Sequence, residues 1–197
     1  MTTISDEKIL ALPRQSAELA VERLPEMELS QCESPIERLF LLAAWSRGVW
    51  TGRLEIMHST TVSVLTEACR SEARAVVAPQ VQIGSYRVDF LFALARSDGE
   101  PICLVAVECD GHDFHEKTKA QAARDKSRDR DLAGHGVTVM RYSGSEIWRD
   151  PGARADEVLN YLNSEWADSS YRQLQRIERN FGSIDNYLEA MRKGGSG

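Results

Sequence analysis

Residues 76–109 decide the fold: VVAPQVQI (76–83), the pair Gly84-Ser85, YRVDFLFAL (86–94), a polar stretch containing Asp98-Gly99, and ICLVAVEC (102–109). All three runs are rich in Val, Ile, Phe and Leu, the residue types that suit a pleated, buried strand. Gly84-Ser85 and Asp98-Gly99 are two-residue turn candidates. The reading is an antiparallel three-stranded meander. Upstream, Ser34-Pro35-Ile36-Glu37 is a helix start: Ser34 as N-cap, Pro35 at the first helical position and Glu37 completing a capping box. Ile36, Leu39, Phe40 and Ala43 follow at helical spacing, so one face is buried as far as about Gly48. Downstream, Thr118 and Gln121 form a second capping box opening a polar helix to about Leu132. Gly134 and Gly136 end it, and 137–142 reads as a fourth strand. Helix, three strands, helix, strand is the order of an α/β protein, more narrowly α+β.

Two acids interrupt the apolar strands. Asp89 stands among Val88, Phe90, Leu91 and Phe92, and Glu108 among Val105, Ala106 and Val107. A buried carboxylate is costly unless it is paired or binds metal. If both turns are two residues long, Asp89 faces Glu108 with α-carbons about 4.5–5.5 Å apart, and Gln80 lies beside Asp89. A cation relieves two such charges, and a set of oxygen ligands suits magnesium or manganese. The alternative is that the acids share a proton or pair with a buried Arg or His. In this register Arg87 lies opposite Asp110, and an ion pair between them is a purely structural account of Asp110.

The outer parts are helical. Residues 1–33 read as a helical extension broken at Pro13 and Pro25, and 54–72 as ambiguous with a helix near 61–70. Beyond Pro151, Leu174, Ile177, Phe181, Ile184, Leu188 and Met191 recur at steps of three and four, a helical seam. Gly182-Ser183 interrupts it, so two helices capped by Ser183 stand beside one long helix as alternatives. The seam suits packing on the domain, a homodimer contact or a partner protein. The expected divisions are 1–33, a core over 34–150, a C-terminal appendage over 151–193, and 194–197 (Gly-Gly-Ser-Gly) as a linker or tag remnant.

Composition is that of an ordinary globular chain, with 42% apolar and 27% charged residues. A net charge of −6 argues against broad nonspecific gripping of nucleic acid but not against an enzyme built around carboxylates. Cys32, Cys69, Cys103 and Cys109 form no CxxC pair and read as reduced core thiols. No apolar run approaches the roughly 20 residues needed to cross a bilayer, and the first residues lack a secretory pattern. A cytoplasmic protein without a membrane partner is expected.

Several segments together carry a resemblance: Ser34-Pro35-Ile36-Glu37-Arg38-Leu39, Tyr86-Arg87-Val88-Asp89-Phe90, and Val107-Glu108-Cys109-Asp110-Gly111-His112-Asp113-Phe114-His115. Arg124-Asp125-Lys126-Ser127-Arg128-Asp129-Arg130-Asp131-Leu132 and Val139-Met140-Arg141-Tyr142 complete it. Over about residues 34–150 the chain resembles the bacterial family allied to the very short patch repair endonuclease, within the PD-(D/E)XK superfamily. The resemblance implies a restriction-endonuclease-like αβββαβ core with a mixed four-stranded sheet. It also implies Asp89 and Glu108 as metal ligands and Glu37 as an acid from the first helix.

One position departs from the pattern. The third residue of (D/E)XK is ordinarily Lys, and Glu108-Cys109-Asp110 supplies Asp. Lys119, His112, His115 and Gln80 are candidates to replace the missing group. His112 and His115 stand as H-x-x-H, which without further ligands is a weak zinc signal. His115 suits a proton donor or phosphate contact better. Arg124 and Arg128, four apart on the polar helix, suit contact with the scissile backbone through their forked donors, although a solvated helix with internal ion pairs also accounts for them.

The expected activity is therefore magnesium-dependent hydrolysis of DNA phosphodiester bonds, with manganese as substitute. The catalytic candidates are Glu37, Asp89, Glu108, Asp110, His115 and Lys119. Asp89, Glu108 and the Cys109 carbonyl are the metal ligands, and Gln80, His112, Arg124 and Arg128 the substrate contacts. DNA is favoured over RNA by the resemblance alone. The alternatives are an inactive nuclease-fold module that binds DNA or protein, and an RNA-cleaving toxin.

Overall fold

The computed structural model describes residues 29–50, 54–58, 61–63, 65, 68, 75–96, 101–110 and 119–194. The pieces around Pro13 and Pro25, the Asp98-Gly99 turn, Thr118, His112 and His115 lie outside these residues, as do the side chains of 119–122. The chain divides into two compact units, Met1–Leu162 and Asn163–Gly197.

The first unit opens with helix α1 (Pro35–Trp50). The Ser34 hydroxyl accepts from the Glu37 N–H at 3.2 Å, as an N-cap should. Glu37 does not close the box on Ser34. Its carboxylate takes the N–H of Glu33 at 2.8 Å. Leu39 through Ala44 are all buried, so α1 is enclosed almost all round rather than along a single stripe.

A strand β1 (Leu54–Ile56) follows, in the stretch the sequence left ambiguous. Its three residues are too few for alternation to be read, and it is placed by parallel pairing with β2 (Ala75–Ile83). A Cβ at Gly48 would overlap the Cβ of Leu54, so the passage from α1 to β1 requires glycine there. Within the expected 61–70 helix, Val62, Ser63, Leu65 and Ala68 are helical.

The meander forms as read: β2, β3 (Tyr86–Ala95) and β4 (Pro101–Asp110) pair antiparallel in succession. Gly84, at φ 57, takes the left-handed position of the two-residue turn, and Ile83↔Tyr86 to Ala75↔Leu94 is the register that turn dictates. Between β3 and β4 the register expected for a two-residue loop holds from Leu94↔Cys103 to Phe90↔Val107. A shift at Leu94/Ala95 then brings Ala95 to Pro101. The irregularity lies at the end remote from the acids, and the ladder ends at Phe90↔Val107, one step short of the direct Asp89–Glu108 pairing expected from the turn lengths.

Helix α2 (Lys119–Gly134) is the crossover that lets β5 (Val137–Ser143) run parallel to β4. The sheet is thus mixed, in the order β1-β2-β3-β4-β5, five strands among the described residues where four were expected. Phe40 of α1 packs on Phe90, Phe92 and Tyr142, with ring centroids 5.4, 6.3 and 6.0 Å away. On the other face Leu132 of α2 joins Val76, Ala78, Leu91, Ala93 and Ala106. The result is a helix–sheet–helix sandwich.

Ser143 and Glu146 form a full capping box that opens α3 (Gly144–Arg149), and α4 (Pro151–Phe181) follows. In the second unit Ser183 caps α5 (Ile184–Gly194) by accepting from the Asn186 N–H at 3.2 Å, and Phe181 packs edge-on to Tyr187. Of the two alternatives, two helices are found. No helix among the described residues is long and apolar enough to cross a membrane.

Candidate active site

Past the Phe90↔Val107 rung the sheet divides. β3 stays with β2 through Ile83↔Tyr86, while β4 stays with β5 through Glu108↔Arg141 and Asp110↔Ser143. Among the described residues no rung joins β3 to β4 beyond that point. Asp89 and Glu108 are the first residues past it. Asp89 compensates for the lost ladder with its side chain, its Oδ2 accepting the Cys109 N–H at 2.7 Å.

The neighbouring rung is also irregular. Gln80 is opposite Asp89 by count, but β2 and β3 are unbridged there, and Gln80 sits at φ 54. A non-glycine residue in the left-handed region persists only where its surroundings hold it. Pro79 beside it has no N–H to give, and Gln80 Nε2 donates to Glu37 Oε2 at 2.9 Å. Gln80 Oε1 is buried without a hydrogen-bond partner among the described residues. Past this rung, Val81, Ile83 and Val88 pack in the same cluster as Val76, Ala78 and Leu91, so strict face alternation ends at the acids.

Glu37 therefore does two things. It accepts from the start of its own helix, and it holds Gln80 beside Asp89 while 5% exposed. Glu108 is 6% exposed, and its Oε1 receives Arg128 Nη2 at 2.5 Å. Burial pushes Asp89 up to about 6; the charges of Glu37 and Asp110 add to this, and the Cys109 N–H and Arg128 oppose it. Burial likewise pushes Glu108 up to about 7, with Asp89 and Asp110 raising it and Arg128 and Arg141 lowering it. Glu37, Asp89 and Glu108 thus form one electrostatic cluster across the split, and Asp110 adds charge to it.

The sheet and its flanking helices bring together Glu37, Gln80, Asp89, Glu108 and Arg128. Arg124, one turn before Arg128, is exposed. Lys119 opens α2, and its side chain lies outside the described residues, as do His112 and His115. Arg87 donates to Glu33 at 2.8 Å. Cys32 and Cys109 are buried thiols in the same neighbourhood; burial pushes Cys32 up to about 12 and raises Cys109 further, which makes both poor nucleophiles.

Two participants had no assigned role in the sequence reading. Arg141 lies beside Glu108 in the β4–β5 register and pairs with Asp129 at 2.6 Å. Tyr86 lies under the Arg128 guanidinium, 5.7 Å from ring centroid to Cζ. A charge in the middle of 137–142 was a visible signal for Arg141, but no turn fixes a parallel register.

The chemistry of the donor set fits a hard divalent cation. Two carboxylates strain against burial and against each other, a state that a cation relieves. Among the described residues no three His, Cys, Asp or Glu side chains gather as a ready metal cage. The residues that could hold such a cation are Asp89, Glu108 and the backbone carbonyl of Cys109, with water completing the shell.

No curated protein and no solved structure matches the chain. A family match does exist, and it runs from before β2 into α4, taking in Asp89, Glu108 and Arg128 but not α1 with Glu37. Over residues 64–162, half of its length, the chain matches REase_MTES_1575, and it belongs to that restriction-endonuclease-like family.

Proposed function

We propose that this protein is a metal-dependent endonuclease that hydrolyses phosphodiester bonds, with DNA favoured over RNA. One observation carries the reading: the half-buried Asp89 and the buried Glu108 stand just past the last β3–β4 rung, where the two strands part, in a restriction-endonuclease-like chain. Asp89, Glu108 and the Cys109 carbonyl would hold magnesium, or manganese in its place. When bound, the cation supplies an acidified water and offsets charge on the phosphorane-like transition state.

The chain's own residues do the rest. The Cys109 N–H orients Asp89, and Glu37 orients Gln80 toward the same place. Arg128, with Arg124 one turn away, suits the phosphate backbone. Lys119, His112 and His115 are the candidates for proton transfer and phosphate contact, since Asp110 stands where the superfamily has Lys. Kinship with very short patch repair enzymes and a cytoplasmic location belong to the same proposal.

The test is cleavage of plasmid, single-stranded DNA and labelled RNA in magnesium. Asp89→Asn is expected to lower the rate at least about a hundredfold, and undiminished cutting by that variant refutes the assignment. A second reading, a binding module that no longer cuts, is favoured by Asp110 in place of Lys and by Arg128 already neutralising Glu108. Calorimetry separates the two: a folded protein that takes up neither magnesium nor manganese supports the binding module.

A further inference from the structure

Arg128 reaches across the split from α2. Its Nη2 donates both to Glu108 Oε1 on β4, at 2.5 Å, and to the carbonyl of Arg87 on β3, at 2.7 Å. One nitrogen thus ties together the two strands that have lost their ladder. The guanidinium rests over the Tyr86 ring, and Tyr86 donates to Asp131, three residues further along α2, at 2.7 Å. The Arg128 side chain is 23% exposed, and its Nε is buried with no hydrogen-bond partner among the described residues.

Among the described residues, these contacts leave the forked geometry of the guanidinium unused. Both bonds come from a single nitrogen, and Nε gains nothing from the burial. An arginine committed to a carboxylate ordinarily engages it with two parallel donors. The oxygen it holds belongs to the same carboxylate that the proposed function assigns to a divalent cation. Like charges within about 4–6 Å oppose each other, so a guanidinium and a divalent ion compete for Glu108.

We infer that Arg128 is a built-in counter-ion that holds Glu108 and bridges β3 to β4 while no divalent cation is present, and that cation binding displaces it, releasing its donors to a substrate phosphate. The inference rests on the cation-binding reading of Asp89 and Glu108 and adds to it an arginine with two alternating partners.

The test is manganese binding by isothermal titration calorimetry to the full-length wild type, Arg128→Ala and Arg128→Gln. The glutamine variant removes the charge while keeping a polar side chain at the half-buried position, which guards against a misfolded alanine variant. Both are expected to bind manganese about tenfold tighter than wild type. Their deficit in melting temperature, measured in chelator, should narrow when manganese is added. In wild type, the Arg128 side-chain nitrogen resonances, identified by their absence from the glutamine variant, should shift on adding magnesium. Folded variants that bind manganese no more tightly than wild type, or unmoved arginine resonances in a magnesium-loaded wild type, overturn the inference and leave the cation site standing. Failure of wild type and variants alike to bind manganese overturns both.

Discussion

Ionising Asp89 and Glu108 works against the fold, and the direction is set by burial first and by neighbouring carboxylates second. Both acids hold their protons more tightly in the folded chain, at about 6 and about 7, than at their ordinary 3.8 and 4.5. The stabilisation is therefore complete below the ordinary carboxylate range and is lost as pH rises through 6 and 7. Without divalent cations the protein should lose on the order of 2 kcal/mol between pH 5 and pH 8, seen as a falling melting temperature in chelator. Asp89→Asn combined with Glu108→Gln should flatten that profile, and a wild-type curve already as flat would sink the account. Manganese should raise the melting temperature more at pH 8 than at pH 5, because ligand carboxylates must be deprotonated. Both acids were legible as charges inside apolar strands. The left-handed backbone of Gln80 was not, because it comes from the surroundings that hold it rather than from any local preference of glutamine.

At the scale of elements, chemistry confined to a few neighbouring residues was readable and chemistry depending on distant pairing was not. The Gly84-Ser85 turn set the β2–β3 register because strand alternation leaves a two-residue loop little choice. The Ser143/Glu146 capping box that opens α3 is an equally local signal, four residues that need no distant partner. β1 had no such signal, since its partner lies beyond an intervening helical stretch. Two substitutions probe these points. Gly48→Ala should destabilise the protein by roughly 1–2 kcal/mol, the overlap with Leu54 outweighing the gain in helix propensity. Ser143→Ala should cost about 1 kcal/mol through loss of the cap. Urea unfolding measures both, and a Gly48→Ala variant more stable than wild type would show that α1 and β1 do not approach as described.

For the whole molecule, the net charge of −6 leaves no overall positive excess to meet phosphate. Binding of the Asp89→Asn variant to a short duplex should therefore depend only gently on salt, with a logarithmic slope of about −2 to −3, measured by fluorescence anisotropy. A slope several times steeper would reveal a basic surface beyond Arg124 and Arg128. The second unit exposes Leu174, Phe181, Ile184, Leu188 and Met191, and of the expectations for this seam a homodimer contact is the one that a mass measurement addresses. Sedimentation of wild type against Leu188→Glu tests self-association, and identical mass at every concentration would exclude the homodimer. By itself the sequence determined the strands of the meander, their register about Gly84-Ser85, and the two acids as anomalies within them. Turn chemistry and side-chain alternation act over a few residues, so these features needed no folded context. The tertiary structure alone decided that the sheet parts beyond Phe90 and Val107, that Glu37 reaches Gln80 across 43 positions, and that Arg128 closes on Glu108. Those meetings arise only when helices from either side of the sheet pack against it, and no local preference encodes where such surfaces come to rest.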